Sequence, residues 1–301
     1  MFVNEYFHAL LSTITKTEVS EMAIRTDLAA EAAFDGGKLR NGIKHTVRRT
    51  GGCEVTDVTV ETDSAGRSIG KPAGRYITID TSDKSADFTE QADVIAEELR
   101  RLCGCTDNIL IVGLGNREIT PDAIGPMTAD GVIATRHLTD ELPKGHFLRD
   151  LNSVSALASG VLGQTGIEAA EIVRAVCEKI SPSCVITADA LACSDFSRLG
   201  TTVQLTDTGI SPGSGVQNSR KELSRRTLGV PVIAVGVPTV IDMHTAYENL
   251  SGKLPDGKLP NLMVTPRDID RIAEKMSKLL SIAINRAFQP MLTHEDIAAL
   301  S

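Results

Sequence analysis

Three short runs of almost entirely apolar residues place the strongest limit on the fold of this chain. They occupy residues 109–112, 185–188 and 230–235. A strand that is apolar along its whole length is typical of a parallel sheet that helices cover on both faces. Segments with helical periodicity, among them residues 89–102 and 167–180, alternate with these runs. The alternation predicts an α/β fold, with a mostly parallel sheet and helices on both faces.

The region before this alternation has a different pattern. Residues 53–60 and 76–79 alternate in part between polar and apolar side chains, which is typical of half-buried strands. The connection 66–74 contains Gly and Pro and indicates a hairpin-type turn. We therefore predict one α/β domain over residues 28–301, in which residues 28–87 form a small β-rich N-terminal subregion.

Composition excludes several functional classes. The chain has 31 basic and 39 acidic residues and a net charge of −8, which argues against direct binding to nucleic acid or to an anionic membrane. It contains no apolar stretch of the length that a membrane helix needs, and its N-terminus lacks the pattern of a secretory signal. The six cysteines are scattered, which favours reduced thiols in a cytoplasmic protein.

No motif for a cofactor or a metal ion is complete. Gly113 and Gly115 begin a dinucleotide fingerprint, but Glu118 stands where the third glycine is needed. Cys103 and Cys105 are separated by one residue, which is not a metal-finger spacing. The sequence therefore predicts a site without a cofactor and without a metal.

Carboxylates follow two of the predicted strands, at the sheet edge where α/β proteins place their active groups. Asp122, in Thr120-Pro121-Asp122, falls in the first turn of a predicted helix, whose dipole favours the ionised form. Asp189 comes directly after the run 185–188, where burial raises the pKa of a carboxyl group. Two carboxyls with separated pKa values suit acid–base hydrolysis of an amide. Helix capping by Asp122, and a buried Asp189 bonded to a loop amide, remain the structural alternatives.

Two further residues are second-rank candidates. Asp207 begins an Asp-Thr-Gly tripeptide like that of pepsin-like proteases, but those folds are all-β and bring two copies together, whereas this chain has one. His244 follows a strand end and is the best metal or base candidate among the six histidines. Both have a structural alternative: the loop that Asp207 begins is a turn, and His244 has a purely structural role.

Several of these motifs together closely resemble the germination protease family of spore-forming bacteria. The matching segments occur in family order over most of the chain: residues 24–29, 112–116, 120–126, 134–138, 163–168, 188–192, 207–215, 229–240 and 261–266. The resemblance implies a fold similar to that of the hydrogenase-maturation endopeptidases and a homotetrameric assembly. It implies an atypical aspartic endopeptidase that degrades small acid-soluble spore proteins in the spore core at germination. The two essential aspartates of the family fall on Asp122 and Asp189.

The resemblance also implies a zymogen that removes its own N-terminal segment. Family substrates are cut after an acidic residue, and Thr26-Asp27-Leu28-Ala29 looks like an internal copy of such a sequence. We predict cleavage between Asp27 and Leu28, so that residues 1–27 form a propeptide; residues 20–23 are the fallback site. A substrate mimic within the same chain has a high effective concentration at the active site.

Two alternatives stay open. One is a metal-dependent, maturation-type endopeptidase on the same fold, and the other is a peptide-binding relative without catalysis. The chain is shorter between residues 240 and 261 than many members of the family. Ser211 stands where the family commonly has a histidine, which favours a metal-free site of two carboxylates.

Overall fold

The structure is a computed structural model that describes residues 26–138, 150–212, 221–253 and 259–300. The expected propeptide up to residue 25 and the fallback cleavage site at 20–23 lie outside the described residues. The helices are α1 (Ala29–Ala32), α2 (Asp63–Ile69), α3 (Phe88–Cys103), α4 (Ile124–Asp130), α5 (Leu162–Thr165), α6 (Ala169–Ile180), α7 (Arg225–Leu228), α8 (Met243–Ser251), α9 (Ile269–Phe288) and α10 (His294–Leu300). Short 3-10 helices span Thr120–Asp122 and Phe196–Arg198.

Nine strands of the described chain form one twisted layer in the order β3-β4-β5-β9-β10-β8-β6-β7, with β11 paired to β10. The strands are β1 (Phe34–Asp35), β2 (Lys38–Leu39), β3 (Ile43–Thr50), β4 (Cys53–Val60), β5 (Gly74–Asp80), β6 (Ile109–Gly113), β7 (Val154–Ala158), β8 (Cys184–Cys193), β9 (Thr202–Thr206), β10 (Val232–Asp242) and β11 (Met263–Val264). Strands β1 and β2 form a separate hairpin.

The sheet is mixed, and its two halves differ in strand direction. Strands β10, β8, β6 and β7 are parallel, whereas β3, β4, β5 and β9 pair antiparallel with their neighbours. The α/β class is confirmed, and the predicted parallel pairing holds for β6, β7, β8 and β10. Strands β9 and β11 also follow residue 108 but pair antiparallel. The antiparallel half contains the β-rich N-terminal subregion, which joins the main sheet through β5 and β9.

Helices cover both faces of the parallel half of the sheet. Successive residues of a strand point to opposite faces, so each strand contributes side chains to both helix layers. In β6, Ile109 and Ile111 pack in the core that contains α3 and α9. Leu110 and Val112 pack in the second core, which contains α6. The continuous apolar run of β6 thus supplies two separate cores.

One connection differs from its prediction. Residues 66–74 were expected to form a hairpin-type turn, but α2 occupies most of the region between β4 and β5. Thr62 caps α2 by accepting a hydrogen bond from the Ala65 N–H, and Gly70 ends it in the left-handed conformation. Position 66 in α2 requires a glycine, because a Cβ there would lie only 2.4 Å from the carbonyl oxygen of Lys71.

The two predicted helices are present with shifted starts. Helix α3 begins at Phe88, capped by the Asp87 carboxylate. Helix α6 begins at Ala169 instead of residue 167, because the left-handed Gly166 ends the short helix α5 just before it. Among the described residues, none of the helices combines the length and apolar content that crossing a bilayer requires.

Candidate active site

Close backbone packing brings Asp122 to the carboxyl end of β6. A Cβ at Gly125 would lie 2.4 Å from the carbonyl oxygen of Ala188, and one at Gly115 would lie 2.2 Å from the carbonyl oxygen of Asp122. Only glycine permits these approaches, and Gly115 also adopts a positive φ of 109°. The Thr120–Asp122 turn is therefore held against the end of β6 and against the middle of β8 at Ala188.

The carboxylate of Asp122 is fixed by the loop that it closes. Its Oδ2 atom accepts a hydrogen bond of 2.7 Å from the Asn116 N–H. Pro121 lies at the start of the 3-10 helix, and α4 follows directly after Ala123. The prediction of Asp122 in the first turn of a helical segment is confirmed.

Asp189 lies inside β8 and not after it. The ladder between β8 and β10 continues past Asp189, which pairs with Gly236, as far as Cys193. The neighbouring strand β6 instead ends at Gly113, opposite Ala188. Asp189 is therefore the first residue of β8 beyond the end of β6, which opens a space beside it.

Burial dominates the electrostatics of Asp189. The residue is only 5% exposed, and its Oδ1 accepts a hydrogen bond of 2.9 Å from the Ala190 N–H. Burial, and after it the negative charges of Asp122 and Asp27, raise the pKa of Asp189 well above its usual value. This direction agrees with the expectation of a carboxyl group that stays protonated while its neighbour is ionised.

Asp122 and Asp189 line one cleft with a volume of about 370 Å³. Its walls are mostly apolar, with Leu114 and Ile119 from one side and Leu191 from another. Ser211, at the position where a histidine was expected from the resemblance, also lines the cleft. The structure thus brings together the two carboxyls that the sequence singled out.

The predicted cleavage site lies in the same cleft. Asp27 lines it, and its N–H donates to the carbonyl oxygen of Ala192 at 2.8 Å. The Ala192 N–H donates in return to Oδ2 of Asp27 at 2.9 Å. Leu28 is fully buried in an apolar cluster with Leu191 and Cys193. The Asp27–Leu28 bond is therefore anchored on both sides next to the end of β8.

Gln204 and Lys71 hold this peptide, and sequence reasoning missed both. Gln204 Nε2 donates to the carbonyl oxygen of Asp27 at 2.7 Å, and Gln204 Oε1 accepts from the Ala29 N–H at 2.8 Å. Lys71 Nζ donates to the carbonyl oxygen of Thr26 at 3.0 Å and lies 3.9 Å from Asp27 Oδ1. Burial lowers the pKa of Lys71, and the charge of Asp27 opposes that shift. An amide between the apolar Val203 and Leu205 of β9 was the available signal for Gln204; Lys71 had none.

Glu31 fixes the C-terminal end of this segment. Its Oε2 accepts from the Ser194 N–H at 2.8 Å and from the Ser194 hydroxyl at 2.7 Å. Arg198 lies 3.4 Å from its Oε1. Residues 26–31, which we call the docked segment, are thus held mainly by side-chain contacts.

The second-rank candidates lie elsewhere. Oδ1 of Asp207 accepts a hydrogen bond of 2.8 Å from the Arg75 N–H, next to the end of β9 that pairs with the start of β10. His244 lies in the first turn of α8, where its N–H donates to Oδ1 of the capping Asp242 at 3.0 Å. Within the described part of the chain, neither residue lines the cleft.

A family model described as germination protease matches residues 17–250. The chain belongs to the germination protease family. Among curated members, the germination protease of Clostridium tetani is 37% identical over 320 residues, which cover 92% of this chain and 98% of the relative. The germination protease of Bacillus velezensis is 43% identical over 244 residues, 76% of this chain and 66% of the relative. Membership of the germination protease family makes this chain a protease with a role in spore germination.

Among solved structures, this chain is similar to the hydrogenase maturation protease HycI from Thermococcus kodakarensis. It is 16% identical, with a TM-score of 0.36, and the match covers 62% of this chain and all but 1% of that one.

Proposed function

We propose that this germination protease is a self-processing zymogen whose mature form starts the degradation of small acid-soluble spore proteins. One observation carries the proposal: the Asp27–Leu28 bond is anchored in the cleft that Asp122 and Asp189 line. A candidate scissile bond and two candidate catalytic carboxyls thus occupy the same site before cleavage.

The different environments of the two carboxyls support a separate role for each. The Asn116 N–H stabilises a carboxylate at Asp122, which acts as the general base and takes a proton from a water molecule. The water oxygen attacks the carbonyl carbon of Asp27. Asp189, protonated because burial raises its pKa, donates its proton to the nitrogen of Leu28 as the C–N bond breaks. The water oxygen and one of its protons end in the new carboxyl group, and the proton of Asp189 ends in the new amine. The second water proton is left on Asp122, and its return to Asp189 restores the starting protonation states.

The contacts of the docked segment supply the substrate recognition. Gln204 Nε2 donates to the carbonyl that is attacked, so it can stabilise the negative charge that develops on this oxygen. The Ala192 N–H and Lys71 Nζ face the side chain of Asp27. These groups suit an acidic residue before the scissile bond, the type of residue after which family substrates are cut.

The full chain and its Asp122→Asn and Asp189→Asn variants test the mechanism. Their N-terminal trimming is followed by intact mass in mildly acidic buffer, with Asp207→Asn as the matched control, since its carboxylate lies outside the cleft. We expect the parent and the control to lose residues 1–27 and both active-site variants to stay intact. Trimming by both variants would overturn the catalytic assignment.

The same experiment separates the two alternatives. A parent that trims only when a divalent metal is present, and stops with a chelator, would favour the metal-dependent maturation-type endopeptidase. A parent that never trims and never cleaves an added small acid-soluble spore protein would favour a peptide-binding relative without catalysis.

We also propose that the mature enzyme is a homotetramer in the spore core. Native mass spectrometry before and after trimming tests the assembly, and a fluorescent fusion in the sporulating cell tests the location. A monomer at micromolar concentration would contradict the assembly without affecting the proposed chemistry.

A further inference from the structure

Three thiol groups meet at the end of the sheet that lies away from the cleft. Cys103 is the last residue of α3, and Cys105 follows it after Gly104, whose left-handed conformation at a φ of 68° turns the chain. Cys184 is the first residue of β8. The three sulfur atoms all lie within 4.8 Å of one another, and the Cys103 and Cys105 sulfurs are 3.4 Å apart.

This spacing fits a metal ion with thiolate ligands. Zinc–sulfur bonds of about 2.3 Å in a tetrahedron place the sulfurs about 3.8 Å apart. That value lies between the 3.4 Å of the closest pair and the 4.8 Å limit of the whole cluster. Three cysteines leave a fourth position for water, and Cys105 is partly exposed, so an ion can enter from its side.

We propose that Cys103, Cys105 and Cys184 bind one zinc ion. The ligands come from a helix end, the turn after it and the first residue of a central strand, which pack together at one end of the core. This site is separate from the catalytic cleft, because Asp189 lies five residues further along β8, roughly 17 Å away. The ion stabilises the fold and takes no part in peptide hydrolysis.

Zinc is bound by thiolates, so an ion that binds here displaces the thiol protons of its three ligands.

The test uses the untagged full chain, reduced and stripped of metal with a chelator. Zinc alone is titrated against a chromogenic chelator, and cobalt is added in a parallel sample as an optical probe. We expect one zinc per chain, a strong near-ultraviolet absorption from thiolate–cobalt bonds, and a rise in Tm of roughly 5 °C at saturating zinc.

Cysteine variants identify the ligands. Cys105→Ser is the main variant because its side chain is the most exposed of the three, and Cys103→Ser is the second. Each should weaken zinc binding by more than the roughly 10–100-fold that loss of an outer-shell partner costs. Cys177→Ser, another buried cysteine outside the cluster, is the control and should bind zinc as the parent does.

Three results would overturn the proposal. The first is a stripped parent that takes up no zinc at micromolar concentration. The second is binding that persists in Cys105→Ser but disappears in Asp122→Asn, which would place the ion in the catalytic cleft. The third contrary result is a Cys103–Cys105 disulfide in the isolated chain, with a mass two hydrogens lower, and no zinc binding after reduction.

Discussion

The two sides of the cleft are built from different kinds of contact. Asp122 and Asp189 come from the parallel half of the sheet, where glycine contacts and the strand ladder fix the backbone and main-chain N–H groups bind the carboxylates. The docked segment is held largely by the side chains of Gln204, Lys71 and Glu31. The difference indicates that the catalytic side is fixed by the fold itself, while the peptide side uses contacts that a second peptide can replace.

Asp189→Asn gives the largest expected effect on the catalytic side. The variant keeps an oxygen that can accept the Ala190 N–H but has no proton to donate to the leaving nitrogen. Loss of a general acid typically costs about 10²–10⁴ in rate. We therefore expect trimming at mild acidity to slow by at least about 100-fold, measured by intact mass over several days. A variant that trims at the parent's rate would show that Asp189 is a structural acid.

The raised pKa of Asp189 also predicts how the stability of the protein changes with pH. Because the pKa of Asp189 is raised on folding, the folded state binds this proton more tightly than the unfolded state, whose pKa is about 3.9. The stabilisation that this group gives the folded state is therefore fully present below the unfolded pKa, and it is lost as the pH rises through the folded pKa. Asp189→Asn lacks this loss and should become progressively more stable than the parent as the pH increases.

Thermal melts between pH 4 and pH 8 check this prediction, on samples that intact mass shows to be untrimmed. The difference in Tm between variant and parent should be smallest near pH 4 and grow by a few degrees towards pH 8. Asp207→Asn is the control, because no such trend is expected from a residue outside the cleft. A constant difference across the range would contradict a protonated Asp189.

Gln204→Leu tests the peptide side, where the expected effect is next in size. Leucine fills the same space but cannot donate to the carbonyl of Asp27 or accept from the Ala29 N–H. Removal of an oxyanion donor typically costs about 10²–10³ in kcat, although part of this loss will be weaker docking. Gln91→Leu is the control, because Gln91 is another buried glutamine but binds the carbonyl of Thr81. Trimming by Gln204→Leu at the rate of this control would show that the amide only fills space.

Lys71→Met should change specificity more than rate. Lys71 Nζ is the cation that lies 3.9 Å from the carboxylate of Asp27, so its loss should reduce the preference for an acidic residue at that position. We expect the kcat/KM ratio for matched Glu and Gln peptides, cleaved by the trimmed enzyme, to fall by about tenfold, which corresponds to roughly 1.4 kcal/mol. Lys44→Met, on the exposed strand β3, is the matched control and should leave the ratio unchanged.

The sequence predicted the catalytic side of this comparison much better than the peptide side. The apolar runs in β6 and β8 located Asp122 and Asp189, because residues at the carboxyl edge of parallel strands meet in space. The length of β8 was underestimated, because a carboxyl group directly after an apolar run is typical of a strand end, whereas β8 continues to Cys193. Helix α2 was read as a turn because its glycine and the Gly70-Lys71-Pro72 stretch after it are typical of loops.

The peptide side depends on contacts between residues far apart in the chain. Gln204 and Asp27 are 177 positions apart, and Lys71 and Thr26 are 45 apart. No local spacing encodes such pairs, because they arise only when β9 and α2 meet the N-terminal segment in the folded protein. The thiol cluster was missed for the same reason: Cys184 joins Cys103 and Cys105 only through the start of β8.

Asp207→Asn is expected to have the smallest effect on trimming, because Asp207 lies outside the cleft that holds the peptide and the two carboxyls. Its carboxylate accepts the Arg75 N–H where β5 begins, and Gly74 beside it leaves no room for a side chain, since a Cβ would lie 2.7 Å from Asp207 Oδ1. An asparagine oxygen can accept the same hydrogen bond, so only the charge is lost. We expect trimming within about twofold of the parent and a loss of stability of about 0.5–1 kcal/mol, read from urea unfolding of untrimmed samples. A large loss of trimming without loss of stability would mean that the Asp-Thr-Gly turn acts in catalysis, and that carboxyls from both halves of the sheet share the chemistry.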